Sequence, residues 1–153
     1  MGELRYTDKY QIQSNFGEWI QRDWDWNWFG SFTFREDVSS KRADKDWLYF
    51  VKQVRKACGR SVQWVRCTEL QQRQVLHYHA LLLNVGKADR YFLMDVWNDI
   101  AGFARIFLYD KERGAGYYLS KYVVKELGEI KFSEKLQDYA VWSDRYNQLK
   151  LFP

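Results

Sequence analysis

Proline is almost absent: Pro153 alone occurs, so the 153-residue chain shows no proline-rich linker and no visible seam between domains. There is no internal repeat and no low-complexity tract either. Cysteine is scarce, with only Cys58 and Cys67 and no CxxC pair, which argues against a disulfide framework and against a thiolate zinc site. Both thiols are expected to be small buried apolar side chains. No run approaches the ~18 apolar residues that a membrane-spanning helix needs, and Met1-Gly2-Glu3-Leu4-Arg5 lacks the apolar core of a signal peptide. The expectation is one domain over residues 1–153, with no helicase domain and no membrane attachment. It would act in the cytoplasm, or in a host's cytoplasm if a virus or plasmid encodes it.

What the chain does have is aromatic bulk. Hydrophobic residues make up 46% and aromatics 19%, enough to build a core and to exclude disorder. The net charge of +4 suits a nucleic-acid partner without establishing one.

Hydrophobic periodicity lays out the elements. Ile12, Phe16, Trp19 and Ile20 repeat at helical spacing, predicting a helix over residues 8–22. Trp24, Trp26, Trp28, Phe32 and Phe34 then share one parity, opposite Asp25, Asn27, Ser31 and Thr33, which predicts a half-buried strand with its aromatic face inward. Gly30 within it suggests a bulge or a close backbone neighbour. Residues 43–58 return to helical spacing, with Trp47, Phe50, Val51, Val54 and Ala57 on one side and Gly59 as the stop. Strands are expected at 61–70 and 75–84, joined by the turn Gln71-Gln72-Arg73-Gln74. A helix carrying Leu93, Val96, Trp97 and Ile100 should end at Gly102. A short strand over 103–109 follows, then a helix over 114–126, and a terminal helix over 132–146. This order predicts an α+β ferredoxin-like (RRM-like) sandwich, an antiparallel sheet of four or five strands with helices on one face and a tyrosine-bearing helix near the metal site.

Two features carry chemistry. His77 and His79, the only histidines, stand two apart on a predicted strand and so share a face. Glu69 has their parity and lies just before the turn, so it is the candidate third ligand. Two imidazoles and a carboxylate leave open positions for water and phosphate oxygens, a set that suits one Mg²⁺ or Mn²⁺, with zinc left open. Alternatively the histidines only fill the sheet face, with Glu69 paired to Arg66 or Arg73. The second feature is Tyr118-Leu119-Ser120-Lys121-Tyr122-Val123-Val124-Lys125. Tyr118 and Tyr122 share one helical stripe, and Lys121 and Lys125 another. By itself such a stripe is more often core or a stacking surface than a nucleophile.

Taken in order, three segments resemble the replication-initiator branch of the HUH endonuclease superfamily. They are Phe29-Gly30-Ser31-Phe32-Thr33-Phe34, then Glu69 with His77-Tyr78-His79, then the doubled Tyr-x-x-Lys block at Tyr118–Lys125, which resembles the two-tyrosine initiators of phages and plasmids. Relatives often carry Arg-Gly before the histidines, where this chain has Arg73-Gln74. The resemblance implies a rolling-circle initiator that nicks and religates single-stranded origin DNA, free or hairpin-borne, through a 5′-phosphotyrosyl link. Glu69, His77 and His79 would hold the metal, Tyr118 or Tyr122 would attack, and Lys121 and then Lys125 would assist. Arg35, Arg73 and Thr33 are candidate DNA contacts, and unwinding would fall to a host helicase. Rival expectations are a tyrosine transposase of the same superfamily, which would carry glutamine rather than lysine after a single tyrosine, and a non-catalytic nucleic-acid-binding module. A conjugative relaxase fits less well, lacking its third histidine here.

Overall fold

The computed structural model describes residues 24–70, 75–110 and 130–134, together with residues 18, 20 and 112. Five strands form one antiparallel sheet: β1 (Trp28–Thr33), β2 (Gln63–Leu70), β3 (Leu76–Leu83), β4 (Ala104–Leu108) and β5 (Ile130–Phe132), in the order β4-β1-β3-β2-β5. Helix α1 (Ser40–Cys58) lies between β1 and β2, and α2 (Arg90–Ile100) between β3 and β4. That β-α-β-β-α-β sequence is the ferredoxin-like sandwich expected, with β5 added on the outer edge of β2.

The helices form where sequence and capping agree. The Ser39 hydroxyl accepts from Arg42 N at the start of α1, and Gly59, at φ 65°, closes its end with an N–H to the Arg55 carbonyl. Asp89 caps α2 through the N–H groups of Tyr91 and Phe92. Helix α1 buries Ala43, Trp47, Phe50, Val51 and Val54. Ala57, expected on that stripe, is exposed.

Both helices cover the even-numbered face of the sheet. There Trp47 and Trp97 pack with Phe32, Phe34, Tyr78, Ala80 and Leu82. Phe32 meets Trp47, Phe50 and Trp97 edge-on at 5.1–5.2 Å, each centroid distance within the range that favours T-shaped pairs. Arg66 is buried on this side too, over the Tyr78 ring at 4.0 Å and paired with Asp44 at 2.7 Å. Burial works to push Asp44's carboxyl up, but its bonds to Lys131 and Arg66 hold it below the ordinary value.

The opposite, odd-numbered face carries a second cluster of Ile20, Trp26, Val65, Cys67 and Leu81. Trp26 therefore does not continue the inward aromatic row of Trp28, as its parity suggested. The strand begins only at Trp28, and Trp26 turns to donate from Nε1 to the Ile20 carbonyl at 2.9 Å. Gly30 makes no bulge: it pairs in register with Ala80 and Ile106. A Cβ there would meet the Phe32 ring at 2.5 Å, so the close neighbour is a side chain, not a backbone. Phe132, expected to open a terminal helix, ends β5 instead, held by Val65. The outer edge of β2 needs hydrogen-bond partners, and β5 supplies them along Val65–Cys67. Glu18 and Ile20 are helical, as expected. The remainder of that first helix, the turn over 71–74 with Arg73, the helix over 114–126 and the rest of the terminal helix lie outside the described residues. So, therefore, do Tyr118, Lys121, Tyr122 and Lys125. No helix among the described residues is long and apolar enough to cross a membrane.

Candidate metal centre

The centre is assembled by strand register. Antiparallel pairing of β2 with β3 sets Glu69 opposite His77 and Cys67 opposite His79. Pairing of β1 with β3 sets Thr33 opposite His77 and Ser31 opposite His79. All these odd-numbered side chains project from the face that α1 and α2 leave uncovered.

Glu69, His77 and His79 each offer a ligand atom, and these atoms lie within 4.8 Å of one another. Atoms bound to one divalent ion at ~2.0–2.2 Å must fall within about 4.4 Å of each other, so small side-chain rotations complete the set. The group could hold a metal. The Glu69 carboxylate is not drawn to Arg66, which is engaged on the other face. Its Oε2 lies 3.0 Å from His79 Nε2.

Each imidazole is fixed from behind. Thr33 Oγ1 lies 3.1 Å from His77 Nδ1, and Ser31 Oγ lies 3.3 Å from His79 Nδ1. A hydroxyl can donate to Nδ1 or accept from it. In the metal-free protein, His79 Nε2–H donates to Glu69 and the Ser31 hydroxyl donates to Nδ1. To serve as a ligand through Nε2, His79 would need the other tautomer, in which Nδ1–H could donate to the Ser31 oxygen. A hydrogen bond to the ring nitrogen that does not face the metal is how protein frameworks orient metal-binding histidines, and here hydroxyl groups take that place. Phe29 stacks on the His79 ring at 6.4 Å, nearly parallel at 8°.

The electrostatics keep the imidazoles ready to ligate. Burial, then the neighbouring His79, lowers His77 to about 4, against the opposing pull of Glu69. Burial likewise lowers His79, partly offset by its hydrogen bond to Glu69. Both rings are therefore neutral at physiological pH, the form a metal needs. Cys67, next along the same face, is buried, with its thiol pushed up to about 12 by burial, and falls outside the ligand group. A cleft of about 810 Å³ beside β5, lined by Leu48, Arg55, Trp64 and residues 130–134, contains none of the three ligands. The donor set, not the concavity, marks the chemistry.

Residues 27–127 match the family described as Replication-associated protein ORF2/G2P. The chain belongs to that family. The match contains every residue of the ligand group and its hydroxyl partners, and a role in DNA replication follows from it. No curated protein and no solved structure matches the chain.

Thr33, considered from sequence as a DNA contact, has its hydroxyl on His77. Arg35 donates from Nη2 to the Asn98 carbonyl near the end of α2, on the side away from the ligand group. Ser31 and Phe29 were not singled out from sequence. Their signal was present in the polar parity of β1, but it becomes legible only once β1 is known to pair with β3.

Proposed function

We propose that this replication-associated protein nicks and rejoins single-stranded DNA at an origin, as a rolling-circle initiator, through a tyrosine nucleophile. The observation that carries the proposal is the Glu69-His77-His79 group, with its two hydroxyl-anchored imidazoles, on the sheet face opposite α1 and α2 in a chain of this family. Those three residues would hold one Mn²⁺ or Mg²⁺, which supplies Lewis acidity to a phosphate oxygen.

The chain's own part is positioning and nucleophilic attack. The phenol oxygen of Tyr118 or Tyr122 bonds to the scissile phosphorus and gives up its proton, while the P–O3′ bond breaks and the 3′-oxygen takes a proton. The product is a free 3′-hydroxyl and a 5′-phosphotyrosyl link, and attack on that link by a 3′-hydroxyl restores the strand and the phenol. Lys121, then Lys125, neutralises charge on the phosphate as it develops. Thr33 and Ser31 hold the two imidazoles in a single orientation throughout.

The test is a denaturing gel of the protein with labelled single-stranded origin DNA and Mn²⁺. A covalent adduct, abolished by EDTA and by His79→Ala, is expected. Tyr118→Phe and Tyr122→Phe, separately and together, assign the nucleophile, and Tyr118 is expected to be competent. No adduct across a broad library of sequences would sink the proposal. The alternative of a purely binding module predicts DNA binding without any adduct.

A further inference from the structure

Strand β4 carries an alternation that the metal centre does not use. Ala104 and Ile106 are buried in the helix-covered core, so Phe103, Arg105 and Phe107 fall on the opposite face, the one that bears the ligands. Both rings are largely in water, Phe103 at 57% and Phe107 at 47% exposure. Arg105 is exposed as well, its guanidinium 5.5 Å from the Phe103 ring centroid. Two large exposed aromatics, one just before β4 and one within it, with a cation between them make a costly surface unless something covers it.

The register connects this surface to the candidate centre. Arg105 lies opposite Ser31, which lies opposite His79. The Phe103 carbonyl accepts from Thr33 N at 2.7 Å, and Thr33 lies opposite His77. Each ligand histidine is thus two strand spacings, about 10 Å, from a side chain of the β4 segment in the same row. An apolar protein partner would have to desolvate the guanidinium without pairing it. An unpaired nucleotide chain matches both elements, since bases stack on rings and phosphates pair with the cation.

We propose that the outward face of β4 is a single-stranded DNA track, with Phe103 and Phe107 stacking bases and Arg105 pairing with a phosphate between them. It leads across β1 to the ligand group. The proposal rests on the assignment of single-stranded DNA as substrate, but not on cleavage.

The experiment is fluorescence anisotropy of the full chain with a labelled, mixed-sequence single-stranded oligonucleotide, in EDTA. Phe103→Ala and Phe107→Ala should each weaken binding by about 5- to 100-fold, and Phe103→Trp should retain it where Phe103→Leu does not. Arg105→Gln should reduce the slope of log K against log salt by about 0.7. Because these side chains are exposed, circular dichroism should show all the variants folded. Wild-type affinity in both alanine variants overturns the track, as does equal competition by duplex of the same sequence, or leucine serving as well as tryptophan. An adduct without dependence on these rings overturns the track alone. Ring-dependent binding without an adduct leaves the track in place and removes the nicking assignment.

Discussion

At the scale of single residues, the ligand group depends on side chains that never touch the ion. Thr33 and Ser31 fix the imidazoles through Nδ1, so removing a hydroxyl frees the ring to rotate or to change tautomer. Thr33→Val keeps the shape and removes the bond. It should weaken Mn²⁺ affinity by about 10- to 100-fold without changing the fold, as isothermal titration and circular dichroism would show. Unchanged affinity would mean that strand packing alone orients His77. The same histidine makes stability depend on pH. His77 titrates near 6.5 when unfolded and at about 4 when folded, so between those values the unfolded chain binds more protons. Its contribution is complete above about pH 6.5 and is lost as pH falls toward 4. Urea unfolding of the metal-free protein should therefore show stability falling across that window, and His77→Asn should make the fall shallower. A His77→Asn profile parallel to wild type would show that other groups set the dependence.

At the scale of elements, the end of β1 is what delivers Thr33, and Gly102 governs that end. A Cβ at Gly102 would lie 2.2 Å from the Thr33 carbonyl and 2.7 Å from Arg35 N. Glycine there lets the chain leaving α2 bond β1 on both sides of that point, from Thr33 N to the Phe103 carbonyl and from Arg35 N to the Ala101 carbonyl. Gly102→Ala should cost about 1–3 kcal/mol of stability and also weaken Mn²⁺ binding, because the displaced segment carries Thr33. Loss of stability with full metal affinity would separate the two. Gly102 was visible in the sequence only as a helix stop. The elements whose apolar positions recur over several turns or alternations, α1, β2, β3 and α2, were legible, and so was Glu69, which shares a hairpin and a parity with the histidines. Three things were not. Trp26 breaks parity because the strand starts after it, β5 is too short to display a period, and Ser31 and Phe29 join the site only through the long-range pairing of β1 with β3. Local pattern records the faces of elements. It does not record which elements become neighbours.

At the scale of the whole molecule, the ligand group exists only when the sheet does. Glu69 reaches His79 through the β2–β3 hairpin, but the hydroxyls that aim the imidazoles come from β1, more than forty residues away in sequence. A cation that needs this arrangement binds the folded chain and not the unfolded one, so binding and folding are linked. At a free Mn²⁺ concentration a hundredfold above Kd, the linkage contributes about 2.7 kcal/mol. For a domain of this size that corresponds to a rise in Tm on the order of 5–10 °C. Differential scanning fluorimetry with increasing Mn²⁺ should show this rise in the wild type, growing with the logarithm of concentration. The combined variant Glu69→Gln, His77→Asn, His79→Asn should show none. Each substitution nearly preserves side-chain volume, so its own Tm in EDTA should stay measurable and serve as the baseline. A variant that gains as much from Mn²⁺ as the wild type would place the ion elsewhere on the surface. A wild type that gains nothing would leave the three side chains as a hydrogen-bonded cluster with no metal to hold.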